Sequence, residues 1–156
     1  MPRVQPSLPR RTFLETAVLG AFAPGAFGAR AEAAELSEKE KANVALVQAW
    51  AASWKTGDPS KIAGFFEEQC VVRISAGTDR PAWTTREQAA EQIANILKAQ
   101  TIEFIVQDNL ASGPVVLSRQ THRVVSQKGT LNNEVVSVLF VTKGKIKEWH
   151  DFSFAA

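Results

Sequence analysis

The chain of 156 residues contains no tyrosine, one cysteine and one methionine. A single cysteine, Cys70, excludes an intramolecular disulfide and a cysteine-based zinc site. The missing tyrosine removes a phenolic proton donor from any mechanism. No run of about 18 apolar residues follows residue 31, so the main part of the chain is not expected to span a membrane. The content of 45% hydrophobic and 22% charged residues excludes a disordered or collagen-like chain, and the length favours one domain.

Several motifs that carry cofactor chemistry are also missing. The sequence has no glycine-rich phosphate loop and no serine or cysteine nucleophile elbow. His122 and His150 are its only histidines, and neither stands in the HxH or HExxH spacing of metal sites. We therefore expect neither a cofactor nor a metal.

The first 31 residues have the layout of an export signal. Arg10 and Arg11 precede Thr12-Phe13-Leu14, an apolar segment follows, and small residues near Ala31 offer a cleavage site. This order resembles the twin-arginine signal, which predicts removal of residues 1–31 and a periplasmic protein. Without them the chain keeps 14 basic and 15 acidic residues, a net charge of −1. The remaining chain lacks the positive charge that nucleic-acid binding requires, so no nucleic-acid partner is expected.

The remaining sequence predicts helices first and strands afterwards. Ser37 with Glu40 forms a capping-box pattern before a helix that Gly57 ends, and Asp58-Pro59 begins a second helix over residues 59–67. A third helix is expected over 85–99, after a strand at 70–74. Residues 102–107, 115–126, 133–142 and 146–154 are rich in β-branched and aromatic residues and are predicted to be strands. Helices followed by antiparallel strands indicate an α+β fold.

Two groups of residues carry a family resemblance. They are Val47-Gln48-Ala49-Trp50 with Trp54-Lys55-Thr56-Gly57-Asp58 and Phe65-Phe66-Glu67-Glu68 near the start, and the closing segment 141–152. They resemble the nuclear transport factor 2-like superfamily, and within it the SnoaL-like and limonene-epoxide-hydrolase-like branch. The resemblance covers residues 44–154 and implies one domain over 35–156. It implies a cone in which a strongly curved, mostly antiparallel sheet wraps around three helices and encloses a deep apolar pocket. It also implies a homodimer through the outer sheet face, with Phe152 and Phe154 at the contact.

The last strand supplies the first candidate catalytic residue. Side chains alternate along a strand, so Trp149 and Asp151 share one face. In the epoxide-hydrolase branch the corresponding tryptophan and aspartate face the pocket. Burial would raise the pKa of the Asp151 carboxyl and suit it to proton transfer near neutral pH. A strand-end carboxylate held by a backbone amide is the structural alternative.

Arg119 is the second candidate catalytic residue. The resemblance places it at the arginine of the epoxide hydrolases' aspartate–arginine–aspartate set, where it would hold Asp151 or bind an oxyanion. Thr121 replaces the partner aspartate of that set. Val72 and Ile74 occupy the positions of the tyrosine and asparagine that hold the attacking water. These three departures disfavour epoxide hydrolysis.

The expected pocket lies between the sheet and the first and third helices. Its predicted lining is Trp149, Thr121, Leu117, Trp54, Trp83, Phe66 and Val72, with Arg73 and His122 as further candidates. His122 is expected on the face opposite Arg119 unless a β-bulge changes the alternation.

Two classes of function fit this site. The first is a cofactor-free isomerase, cyclase, lyase or hydrolase that acts on a small apolar molecule of aromatic, polyketide-like or terpenoid type. The second is a non-catalytic periplasmic binding or accessory protein. An enzyme should hold Asp151 and Arg119 within hydrogen-bond reach in one pocket, whereas a binding protein could hold them apart.

Overall fold

The computed structural model describes residues 35–153, so the predicted signal segment and Phe154 lie outside the described residues. Within these residues there are three α-helices: α1 (Glu38–Ser53), α2 (Pro59–Ala63) and α3 (Arg86–Leu97). The predicted capping box of α1 is confirmed, because the Ser37 hydroxyl accepts from the Glu40 amide and the Glu40 carboxylate accepts from the Ser37 amide. None of the helices within residues 35–153 is both long and apolar enough to cross a membrane.

In the described part of the chain, six strands form one open sheet. They are β1 (Phe66–Arg73), β2 (Trp83–Thr85), β3 (Gln100–Ser112), β4 (Val115–Ser126), β5 (Gly129–Thr142) and β6 (Lys145–Ser153). The strand order is β2-β1-β6-β5-β4-β3, and only the β1–β6 pair is parallel. The predicted α+β class and mostly antiparallel sheet are confirmed.

Several predicted boundaries are wrong for identifiable reasons. Helix α2 stops at Ala63, and Phe66 begins β1 because its neighbour Phe65 pairs through its carbonyl with the Ile146 amide of β6. Strand β3 continues through Asp108 by means of a bulge, although aspartate is typical of turns. Strand β5 begins at Gly129, which pairs with Ser126, so the connection from β4 is a two-residue hairpin. The three-residue strand β2 was not predicted.

An aromatic cluster fills the space between α1 and the sheet. Trp50 is fully buried, and its ring centroid lies 4.7 to 6.3 Å from four others, those of Trp54, Phe66, Phe104 and Trp149. Rings in edge-to-face contact at these distances stabilise the core beyond their buried area. This cluster fills part of the region in which the sequence predicted a deep apolar pocket.

Candidate active site

Strands β4, β5 and β6 present one row of small and polar side chains to the interior. Cα pairing aligns Ser118 with Ser137 and Ser137 with Asp151, and all three side chains are buried. The neighbouring row aligns Val116, Leu139 and Trp149. The prediction that Trp149 and Asp151 point inward together is therefore confirmed.

Asp151 is held on one oxygen and free on the other. Its Oδ1 accepts hydrogen bonds from the Ser137 hydroxyl at 2.5 Å and from the indole N–H of Trp149. Its Oδ2 faces His122, with 3.9 Å between Oδ2 and Nδ1. Because Oδ1 is fully engaged as an acceptor, a proton on this carboxyl belongs on Oδ2, the oxygen available for chemistry.

His122 is held by a side chain of its own strand. Its Nε2 lies 3.1 Å from Gln120 Oε1, and the Gln120 amide nitrogen donates to the Ser118 hydroxyl at 2.9 Å. With the Gln120 amide in this orientation, its Oε1 accepts the Nε2 hydrogen, and this tautomer presents the Nδ1 lone pair toward Asp151. The ring also stacks on Phe104 with 3.8 Å between centroids.

Burial shifts the pKa values of Asp151 and His122 in opposite directions. It raises the pKa of Asp151 to about 7, although the hydrogen bonds from Ser137 and Trp149 oppose the rise. Burial lowers the pKa of His122 to about 4. At pH values between these two, the pair consists of a protonated carboxyl and a neutral imidazole rather than an ion pair. A proton donor and a proton acceptor thus face each other across 3.9 Å.

A cavity of about 390 Å³ gives access to the pair. Five of its seven lining residues are polar, and the whole lining is Ile74, Ser75, His122, Asn133, Val135, Asp151 and Ser153. The cavity lies where the C-terminal ends of β1 and β6 meet the beginning of β5. It is more polar than the predicted pocket. Within residues 35–153, no three histidine, cysteine or acidic side chains are grouped so that they could hold a metal.

The predicted position of Arg119 is wrong. Arg119 is exposed on the outer face of β4, with Leu117 and Thr121 on the same face, so these three residues do not line the cavity. The pairing of β4 with β5 is continuous, so no bulge brings them inward. His122 lies inside without a β-bulge, because the even-numbered residues of β4 face the interior.

The other predicted pocket residues divide into two groups. Trp54 and Phe66 are buried in the aromatic cluster, away from the Asp151 cavity. Val72, Trp83 and Arg73 line a separate cavity of about 290 Å³ next to it.

Sequence reasoning missed the supporting residues Ser118, Gln120 and Ser137. One signal could have found the first two. The odd-numbered face of β4 carries Arg119 and Arg123, whereas the even-numbered face carries no charge. Because unpaired arginines are rarely buried, charge alone assigns the even face to the interior.

Comparisons with known proteins agree with the observed fold. Residues 47–149 match the model of the SnoaL-like domain. Among solved structures, the chain is similar to the epoxide hydrolase/cyclase-like enzyme SalBIII of pyran ring formation in salinomycin, with 18% identity over 76% of this chain and 95% of that one and a TM-score of 0.68. It is also similar to an LEH-like epoxide hydrolase of M. tuberculosis, with 16% identity, coverage of 74% and 84%, and a TM-score of 0.66.

A third similar structure is a putative polyketide cyclase of Xanthomonas campestris pv. campestris, with 16% identity, coverage of 73% and 91%, and a TM-score of 0.63. No curated protein matches the chain. At these identities the structural likenesses establish the fold, while the domain match covers most of the described residues. The chain belongs to the SnoaL-like domain family of the nuclear transport factor 2-like superfamily.

Proposed function

We propose that the protein is a cofactor-free enzyme that moves a proton on a small organic molecule, with Asp151 as the acid–base group. The observation that carries the proposal is the buried Asp151–His122 pair at the wall of a cavity. General acid–base catalysis is most efficient when the pKa of the group lies near the working pH, and burial raises the pKa of Asp151 to about 7. The named activities of the similar structures, cyclisation and epoxide opening, both need proton transfer.

In this mechanism Asp151 and His122 have different roles in proton transfer. Asp151 Oδ2 donates a proton to, or takes one from, an oxygen or carbon of the substrate in the cavity. His122 Nδ1 accepts or relays a proton, because its Nε2–H is already donated to Gln120. Ser137 and Trp149 keep Oδ1 occupied and so direct the chemistry to Oδ2. Isomerisation, cyclisation, lysis and hydrolysis can all use this arrangement.

The alternative is a binding protein without turnover. A binding protein could hold Asp151 and Arg119 apart, and Arg119 is indeed absent from the site. The deep burial of Asp151, however, argues against a binding protein. Burying a carboxyl with a neighbouring base has an energetic cost that a binding surface does not require. The polar cavity favours a substrate with a carbonyl, hydroxyl or epoxide oxygen attached to its apolar part.

Turnover by matched variants tests the proposal. Purified protein is incubated in deuterium oxide with small ketones, 1,3-dicarbonyl compounds and epoxides, and mass spectrometry follows deuterium uptake and product. We expect Asp151→Asn to reduce turnover by roughly two or more orders of magnitude. Asp108→Asn, which removes an exposed carboxylate of β3, should leave turnover unchanged. Undiminished turnover by Asp151→Asn would favour the binding protein.

We also propose a homodimer through the outer face of the sheet. Leu117 and Phe152 are 40% and 41% exposed there, and they pair with the half-buried Val138 and Val136 of β5. An apolar patch across three neighbouring strands is typical of a subunit interface. We propose a periplasmic location as well, which the predicted export signal of residues 1–31 supports.

A further inference from the structure

One polar residue of the cavity lining lies directly beside the acid–base pair. Asn133 lines the Asp151 cavity, and its Cα pairs with that of His122 across strands β5 and β4. Directly opposed residues of an antiparallel pair share one face of the sheet, with Cβ atoms about 5 Å apart. The odd-numbered residues of β5 face the interior, since Val135 and Leu139 are buried. The Asn133 side chain is therefore a neighbour of the imidazole on the inner face.

The carboxamide of Asn133 has no partner in the described part of the chain. The amide of Gln120, on the neighbouring strand, is engaged at both ends, by His122 and by Ser118. Asn133 is half-buried, and within residues 35–153 its side chain forms no hydrogen bond. Its two N–H donors and its oxygen are therefore available to a molecule in the cavity.

The rest of the lining makes this amide important for charge. Among the described residues that line the cavity there is no lysine or arginine, so negative charge on a bound oxygen can be met only by neutral donors. Ser153 is exposed and Ser75 lies beyond the end of β1, whereas Asn133 adjoins His122. Fixed neutral donors directed at an oxygen on which charge develops are a major means of stabilising a transition state.

The apolar part of the lining continues into a second cavity. Ile74 lines the first cavity and also a neighbouring one of about 290 Å³, which contains Val72, Trp83 and Ile96. Val72 is buried and pairs with Trp83 across β1 and β2, so these two side chains share a face of the sheet. An aromatic or aliphatic group can lie there while an attached carbonyl points toward Asn133.

We infer that Asn133 is a catalytic residue that binds the carbonyl oxygen of the substrate, and that the substrate is a ketone with an apolar substituent. This inference rests on the proposed function for the proton transfer, and it names the reacting group of the substrate.

The reaction step balances with the groups present. The proton on the carbon next to the carbonyl passes to Oδ2 of ionised Asp151 or to Nδ1 of His122. The C–H electron pair becomes the carbon–carbon π bond, and the carbonyl π pair moves onto oxygen. That oxygen accepts a hydrogen bond from Asn133 Nδ2, which strengthens as the negative charge develops.

The carbonyl signal of a bound probe tests the inference without requiring turnover. Acetophenone labelled with ¹³C at its carbonyl carbon is added at millimolar concentration to the full chain, and the shift of the bound ketone is measured by NMR. A hydrogen bond to the oxygen moves this signal downfield, so it should lie further downfield in the unmodified protein than in Asn133→Leu. Asn132→Leu replaces the adjacent, exposed asparagine, which pairs with Arg123 on the outer face, and should give the unmodified shift.

Turnover by the same variants separates binding of the transition state from binding of the ground state. Asn133→Leu should lower kcat for deuterium exchange into acetophenone about 100-fold, the scale of losing one oxyanion donor. KM should change by less than about tenfold, the scale of one ordinary hydrogen bond. Asn132→Leu should leave both constants unchanged. Urea unfolding verifies that each variant is folded, and Asn133→Ala carries the same expectation if Asn133→Leu does not fold.

The same measurements distinguish failure of the inference from failure of the proposed function. An unchanged bound signal in Asn133→Leu, an equal change in Asn132→Leu, or no bound signal in the unmodified protein would overturn the inference. Asp151→Asn should retain the downfield signal, because the amide and not the carboxyl provides it. A signal that depends on Asn133, together with full turnover by Asp151→Asn, would refute only the proposed function. Turnover that depends on Asp151 but not on Asn133 would refute only the inference.

Discussion

The neutral pairing of Asp151 with His122 predicts how stability changes with pH. The carboxyl has a pKa of about 7 in the folded protein against an ordinary value of 3.8, so between these values the folded state binds a proton that the unfolded state releases. Its contribution to stability is therefore present at low pH and is lost as the pH rises toward 7. The imidazole has a pKa of about 4 against an ordinary 6.5, so its contribution is lost as the pH falls through that range.

In the unmodified protein, the contributions of Asp151 and His122 to the pH dependence of stability cancel. Between about pH 4.5 and 6.0, unfolding releases one proton from Asp151 and takes one up at His122, so the pair adds no slope to the free energy of unfolding. Each shift arises chiefly from burial and not from the partner, so each should persist when the partner is replaced. Single substitutions should therefore uncover slopes of opposite sign.

The magnitude follows from one proton, about 1.4 kcal/mol per pH unit. From about pH 4.5 to 6.0, the stability of Asp151→Asn should rise by about 2 kcal/mol relative to the unmodified protein, and that of His122→Asn should fall by a similar amount. Loss of the stacking on Phe104 displaces the whole His122→Asn curve but does not change its slope.

Urea unfolding at fixed pH, followed by tryptophan fluorescence, measures these slopes. The control is Asp108→Asn, which removes an exposed carboxylate outside the site. Its free energy of unfolding should change with pH in parallel with that of the unmodified protein. If the free energies of unfolding of the Asp151 and His122 variants also changed with pH in parallel with that of the unmodified protein, the pair would not be neutral and the reasoning would be refuted.

The tautomer of His122, the export signal and the dimer can each be tested separately. Gln120→Leu removes the acceptor of His122 Nε2–H and should move the hydrogen to Nδ1; unchanged ¹⁵N shifts of the ring would contradict the assigned positioning. Replacing Arg10 and Arg11 by lysine should leave precursor in the cytoplasm, and normal periplasmic levels of processed protein would exclude the twin-arginine route. Light scattering should report a dimer at micromolar concentration and a monomer for Phe152→Glu, and a monomeric unmodified protein would refute the proposed interface.

Local patterns were sufficient to predict most of the fold. The caps at Ser37 and Asp58 and the dense β-branched runs of β4 and β5 act through near neighbours, so the sequence identifies them directly. The missed elements depend on distant partners. Strand β2 has only three residues and exists because Thr85 and Trp83 pair with β1. The first residues of β1 are held by β6, about 80 positions later in the chain.

The inward orientation of the candidate residues was predicted correctly only where the alternation of side chains along a strand was anchored. Trp149 and Asp151 were placed correctly because both lie on one strand whose inner face was known from the resemblance. The resemblance also assigned the inner face of β4 through Arg119, and a shift of one residue moves a whole strand to the opposite face. The spacing of Trp50, Trp54 and Phe104 in the sequence likewise could not show whether their rings line a pocket or fill it. That depends on how the rings pack together.

Titration of the two side chains by NMR tests the central claim most directly. The account predicts that the ¹³C signal of the Asp151 carboxyl titrates with a midpoint of about 7. It predicts that the ¹⁵N signals of His122 report a neutral ring with hydrogen on Nε2 until the pH falls to about 4. A carboxyl midpoint at the ordinary 3.8, or a His122 midpoint at the ordinary 6.5, would contradict the acid–base pair from which the proposed function is argued.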